Sequence, residues 1–251
     1  MWNCDIPQQR WQQALALALE TTQRPAVTVA EHRSRPYQHA EGLGYGSAIA
    51  LALAAQRPQP AAQIAAQLAT ALAGSEFQAT AQASGHLLAT WQPAAIASWL
   101  EQLTNQLTVT PARPAATVPD SLLPVQYTGA RCTAWLQLAD REQWLPGTWC
   151  PETGLWHWAE SQPWPAAALS SWQATDWALL ATLVAVADAQ LQPSPAWPRY
   201  GQQLSAAVLQ WQSQRPLVGL GRSHWGLLAV VQRVLAWLLR DACGVVSPFE
   251  L

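Results

Sequence analysis

The chain has 251 residues, half of them hydrophobic, enough for one or two packed cores. All 13 of its basic residues are arginine, and without a lysine no phosphate-cradling Gly-x-x-x-x-Gly-Lys loop can form. A net charge of −2 removes any global attraction to phosphate. Charged residues make up 11%, against about 25% in ordinary chains, and alanine, glutamine and 16 tryptophans fill the gap.

From the start of the chain, Asp5, Arg10 and Glu20 interrupt residues 1–20, so no signal-peptide core stands there. No segment offers the ~20 uninterrupted apolar residues of a membrane span. The most hydrophobic window, Leu227–Leu239, is broken by Gln232 and Arg233. A cytoplasmic protein without membrane contact is the expectation.

Pro25–Ala30 alternates as a strand does. Arg33, Arg35, Tyr37 and His39 follow as a local basic and aromatic cluster, a candidate nucleic-acid contact, because arginine suits phosphate geometry and stacks on bases. Gly42–Ser47 is turn-rich. A helix is expected from about Ala48 to Gln56, stopped by Pro58 and Pro60, and a second over Ala61–Ala73 with Gly74 as its cap. Two strands, Phe77–Ala83 and Gly85–Trp91, precede a helix that Pro93 opens and that ends near Gln106. Residues 108–120, TVTPARPAATVPD, read as a Pro-rich extended linker, which places a domain boundary there.

Residues 123–136 and 225–251 are amphipathic helical patterns that bracket an all-helical C-terminal half. In the last helix Leu227, Val231, Val234 and Leu238 form a core-facing stripe, with Trp237 at its flank. Arg233 and Arg240 are seven apart, share a face with Ala229 and Ala236, and either contact phosphate or wet an exposed stripe. Arg222 and His224 lie just before them.

Eight of the tryptophans fall within 135–177. Three readings of this segment stand side by side. It is a satellite core, a protein interface built on Trp144, Trp149, Trp156 and Trp158, or a base-stacking platform. Of Trp156 and Trp158, one is expected to pack inward and the other to be exposed. The four cysteines lack paired spacing and read as free thiols buried in helices or loops. Cys150, His157 and Cys132 have no metal-ligand spacing, and Asp140, Glu142, Glu152 and Glu160 read as solvated loop charges, so neither a metal nor another cofactor is expected.

The run Tyr127-Thr128-Gly129-Ala130-Arg131 at the start of the helical half matches the Tyr-x-x-Ala-Arg that usually opens the DALR anticodon-binding domain of arginyl-tRNA synthetases. That domain usually closes its polypeptide with a long helix and a Gly-containing turn, as Gly244 follows the helix here. The N-terminal element order is similar to the small α+β domain of the same enzymes. There a Gly-Asp-Tyr run precedes the first long helix, where this chain has Gly44-Tyr45-Gly46-Ser47.

The resemblance implies a predominantly helical protein. An α+β domain over 1–107 and a linker over 108–120 would precede a helical-bundle, DALR-like domain over 121–251, with a Trp-rich insertion at 135–177. It has no room for a catalytic domain and no His-x-Gly-His element, so no aminoacyl-tRNA ligase activity is expected. What the resemblance implies instead is non-catalytic binding of tRNA, the arginine tRNA by family, with Tyr127 and Arg131 on the receiving surface. The alternative is a scaffold or assembly factor that kept the fold and binds a protein through the Trp-rich segment.

Overall fold

A computed structural model describes residues 2, 4–22, 34–39, 42–56, 58–109, 118–150, 153–158, 164 and 166–245. The expected strand at 25–30, Arg33, most of the linker at 110–117 and the last residues lie outside the described residues. The chain divides into two compact units, 5–96 and 1–4 with 97–251. The division falls inside a helix, between Ile96 and Ala97, rather than at 108–120.

The N-terminal unit begins with α1, Pro7–Thr21, which the sequence reading passed over. Its buried positions Trp11, Leu15, Ala18 and Leu19 keep the spacing of one helical face. The strands β1 (Arg35–His39), β2 (Gly42–Ser47), β3 (Phe77–Ala81) and β4 (Leu87–Trp91) form one antiparallel sheet in the order β1-β2-β4-β3. Gly42–Ser47 is therefore a central strand, not a turn. Gly44 is a close-approach residue. A Cβ on Gly44 would lie 1.9 Å from the carbonyl oxygen of Ala89 on β4, so only glycine lets the two strands pair there.

The helices α2 (Ile49–Ala54) and α3 (Ala61–Ala71) stand where Pro58, Pro60 and the alanine-leucine pattern placed them, and Gly74 follows with φ +86°. The core of this unit is aromatic. Trp11 stacks on Tyr45 at 6.5 Å and meets Phe77 edge-on at 5.3 Å, and Phe77 stacks on Trp91 at 6.0 Å. The Trp11 indole donates to Ser34 Oγ at 2.8 Å, satisfying the one polar atom it buries.

Helix α4, Pro93–Gln106, carries the chain from one unit to the other. The C-terminal unit then contains α5 (Leu123–Arg141), α6 (Ala174–Asp188), α7 (Trp197–Gln214) and α8 (Arg222–Trp237), with α8 extended by a π turn, Leu238–Ala242. It is not purely helical. The strands β5 (Gly147–Cys150) and β6 (Leu155–Trp158) pair as a hairpin within the Trp-rich segment.

Helix α8 departs most from expectation. Every residue from Ser223 to Trp237 is buried, so it has no solvent face. Helices α5 and α6 and strand β6 all pack on it. The expected stripe of Leu227, Val231, Val234 and Leu238 is buried, and so is the opposite side. A Cβ on Gly226 would meet the Trp164 ring at 2.8 Å, which shows how closely the Trp-rich segment covers this helix. The window Ala174–Leu191, made of α6 and the 3-10 turn that follows it, is long and apolar enough by composition to cross a membrane, and 56% of it is buried inside the fold.

Candidate nucleic-acid interface

Helix α5 turns Val125, Thr128–Ala130, Cys132, Thr133 and Leu136 inward. That leaves Tyr127 and Arg131, one turn apart, on its flank. Tyr127 is 44% exposed. The Arg131 guanidinium lies 5.9 Å from the Tyr127 ring centroid and 5.1 Å from that of the buried Trp135, one further turn along. Its Nη1 donates to Tyr127 Oη at 2.7 Å, and its Nη2 donates to Gln212 Oε1 on α7 at 3.3 Å. Its Nε is buried without a partner.

Among the described residues no carboxylate pairs with Arg131. Helix α7 contains no Asp or Glu, and α5 contains none before Asp140. The result is a cation fixed between two rings and an amide, with no carboxylate partner among the described residues. Such a group can hold an anion while the tyrosine offers a stacking face.

Arg233 and Arg240, on α8 and its π extension, do not join it. Arg233 and Arg240 are buried, at 8% and 9% exposure, and neither meets solvent phosphate nor wets a surface stripe. Arg233 Nη1 donates to the Leu107 carbonyl at 3.1 Å and its Nη2 to the Trp156 carbonyl at 3.3 Å. Arg240 Nη1 donates to the Thr153 carbonyl at 3.3 Å. Gln232 Nε2 donates to the Gly154 carbonyl at 2.6 Å. Three side chains of α8 and its π extension thus hold three carbonyls of the β5–β6 hairpin. Burial pulls the Arg233 and Arg240 guanidinium groups below their ordinary range. Partial burial, and secondarily the Arg233 charge, holds His157 below the usual imidazole value.

Arg222 is exposed in the first turn of α8. Arg35 pairs with Gly46 in the sheet, but its side chain lies outside the described residues, as does all of Arg33. Tyr37 is half-buried, with its Oη 3.1 Å from Thr90 Oγ1.

The Trp-rich segment is largely core. Trp135, Trp156, Trp164, Trp172 and Trp177 are buried, Trp156 at 1%. Trp149 and Trp158 are half-buried, and Trp144 is 38% exposed beside Trp225 at 5.8 Å. Trp156 and Trp158 do not point to opposite faces. They lie two apart on β6, share a face as strand geometry requires, and meet edge-on at 6.1 Å.

One polar centre escaped the sequence reading. Asp176, fully buried at the start of α6, accepts from the Gln173 backbone N–H at 2.7 Å, from Trp211 Nε1 at 2.7 Å and from Arg215 Nη2. His224 Nε2 lies 3.5 Å away. Burial alone would raise this carboxyl. Its contacts with His224, the Gln173 amide and Trp211 outweigh burial and hold it below its ordinary value. The available signal was local: an acid three residues after Gln173, where a helix start invites a reciprocal cap. Trp211, Arg215 and His224 come from α7, its end and α8, and no spacing announces that convergence.

None of the four cysteines is in a disulfide; Cys4 and Cys132 are buried, and burial pushes the Cys132 thiol well up. Compared with models of protein families, with curated proteins and with solved structures, the chain matches none of them.

Proposed function

We propose that the chain is a non-catalytic tRNA-binding protein whose contact surface is centred on Tyr127 and Arg131. The observation that carries this reading is the Arg131 guanidinium. It is fixed between the rings of Tyr127 and Trp135, donates to Gln212, and has no carboxylate partner among the described residues. A cation with no carboxylate partner among the described residues, on a flank free of acidic residues, favours an anionic ligand, and an exposed tyrosine beside it favours one that carries bases. The resemblance of the Tyr127–Arg131 run to the DALR domain supports tRNA as that ligand, and the arginine tRNA as the first species to test.

This reading needs little global charge. One phosphate contact and one stacked base give modest affinity and a shallow salt dependence. Electrophoretic mobility shift with bulk tRNA, and with arginine tRNA, tests it directly. Arg131→Ala should weaken binding about tenfold or more, and Arg131→Lys should not restore it, because an ammonium loses the planar stacking. Unchanged affinity in a folded Arg131→Ala protein would remove Arg131 from the surface and the reading with it.

A protein-scaffold role is a second reading, favoured by the partly exposed rings of Trp144, Trp149 and Trp158. Capture of one specific protein that is lost on Trp144→Ala, with no tRNA bound, would favour it.

A further inference from the structure

Strand β3 is one edge of the four-stranded sheet, whose order is β1-β2-β4-β3. Just beyond its ends, the Gln82 N–H donates to the His86 carbonyl at 2.8 Å and the Gln92 N–H to the Glu76 carbonyl at 2.8 Å. In an antiparallel pair such bonds recur at every second residue. Gln78 and Thr80 therefore bond to β4, opposite Thr90 and Leu88, and Phe77, Ala79 and Ala81 turn their N–H and C=O groups outward. Phe77 is closed off locally, because Ser75 Oγ accepts from its N–H at 3.1 Å and donates to its carbonyl at 2.9 Å. Among the described residues the outward groups of Ala79 and Ala81 have no hydrogen-bond partner. Gln78, Thr80 and Ala81 are exposed, so this edge faces water.

Sheet edges are ordinarily blunted by a charge, a proline or a bulge. Strand β3 has none of these. Residues 77–84, FQATAQAS, carry no charge and no proline, and the pairing with β4 runs without interruption. Helix α3, which packs on β3, carries no charge either. That composition selects the partner. Across a two-fold axis the central residue faces itself, so a charge there would meet a like charge. A neutral edge escapes that penalty.

The open groups also select a register. Two antiparallel copies that cross at Thr80 set Ala79 of each against Ala81 of the other. Every open N–H then meets an open carbonyl. A crossing at Ala79 would call on Phe77, which Ser75 already satisfies, and a crossing at Ala81 would call on Ala83, which lies in the β3–β4 turn. At the axis the two Thr80 residues form a non-hydrogen-bonded pair, with Cα atoms about 4.5 Å apart, where threonines attract each other.

We infer that β3 is a homodimerisation edge. A second copy of this chain adds its own β3 antiparallel about a two-fold axis at Thr80, and the two four-stranded sheets become one.

Sedimentation equilibrium of the full chain tests the inference. The apparent mass should rise from 27.3 kDa toward twice that value as the concentration approaches about 1 mM, the range in which a small pairing surface is populated. Thr80 is exposed, so Thr80→Lys and Thr80→Glu should both keep the parent's circular dichroism. Each variant alone should stay at the monomer mass, because like charges face each other on the axis. An equimolar mixture of the two should recover the dimer, which a folding defect could not produce. A parent that stays monomeric throughout, a dimer that both variants leave intact, or a mixture that remains monomeric would each overturn the inference.

Discussion

Arg233 Nη2 donates to the Trp156 carbonyl across 3.3 Å, joining the centre of α8 to the inner strand of the Trp-rich hairpin. The guanidinium is 8% exposed, and its other terminal nitrogen caps the Leu107 carbonyl after α4. A residue type that reads as a phosphate ligand here satisfies backbone that the fold has taken out of water. With Gln232 and Arg240 on neighbouring carbonyls, it explains how a hairpin of four-residue strands stays in place against a helix.

Arg233→Met should therefore destabilise the protein rather than impair a surface. Methionine fills the volume and strands two buried carbonyls, at a cost of about 2–4 kcal/mol. Urea denaturation followed by tryptophan fluorescence measures this. A midpoint equal to the parent's would mean that the hairpin stays closed without Arg233.

Acid should act through Asp176. Its folded-state carboxyl titrates below its ordinary value, so the sign is that of a depressed acid. Its contribution is fully present above the unfolded carboxylate value of about 4 and is lost as pH falls through the folded value. Asp176→Asn should flatten this acid limb of a stability–pH profile. At neutral pH it should also cost on the order of 3 kcal/mol, because Arg215 and His224 lose their shared partner. An unaltered acid limb in the variant would assign the pH dependence to other carboxylates.

Leu238→Ala and Val234→Ala should each lose about 2–4 kcal/mol, because both side chains are enclosed and leave cavities. Val218→Ala, at 73% exposure, should stay within about 0.5 kcal/mol of the parent. Thermal unfolding of the three variants side by side supplies the comparison. Similar midpoints for all three would place the α8 stripe at a solvent face.

No arginyl-adenylate should form. Arginine-dependent ATP–pyrophosphate exchange by the purified chain should equal the no-enzyme background, since the sequence has neither His-x-Gly-His nor any lysine. Exchange above background that follows the protein through purification would defeat the non-catalytic reading.

Trp156→Ser should unfold or strongly destabilise the C-terminal unit, and Trp144→Ser should not, because one ring is 1% exposed and the other 38%. The large buried ring carries about 3–5 kcal/mol on truncation. Near-ultraviolet circular dichroism together with the unfolding midpoint separates the two. Equal tolerance would make the segment a surface excursion.

The sequence by itself determined the elements whose signals are local. Pro58 and Pro60 separate α2 from α3, Pro93 opens α4, and the apolar spacing of 123–136 gives α5. Tyr127 and Arg131 were legible as neighbours because four residues make one helical turn, whatever surrounds the helix. Periodicity even found the stripe of α8, but it could not tell that the opposite side is covered too. Arg233 and Arg240 look like surface residues in a one-dimensional pattern. Only the β5–β6 hairpin, folded back from some 80 residues upstream, decides that they face carbonyls instead of water. Likewise Gly42–Ser47 reads as a turn until β4 is laid beside it and Gly44 proves to be the position where two backbones approach. Asp176 is an ordinary helix-cap acid in the sequence. It becomes a buried hub only when α7 and α8 bring Trp211, Arg215 and His224 to it. Local geometry follows from neighbours along the chain. Burial and the choice of polar partner depend on which distant segment arrives, and that is a property of the tertiary packing alone.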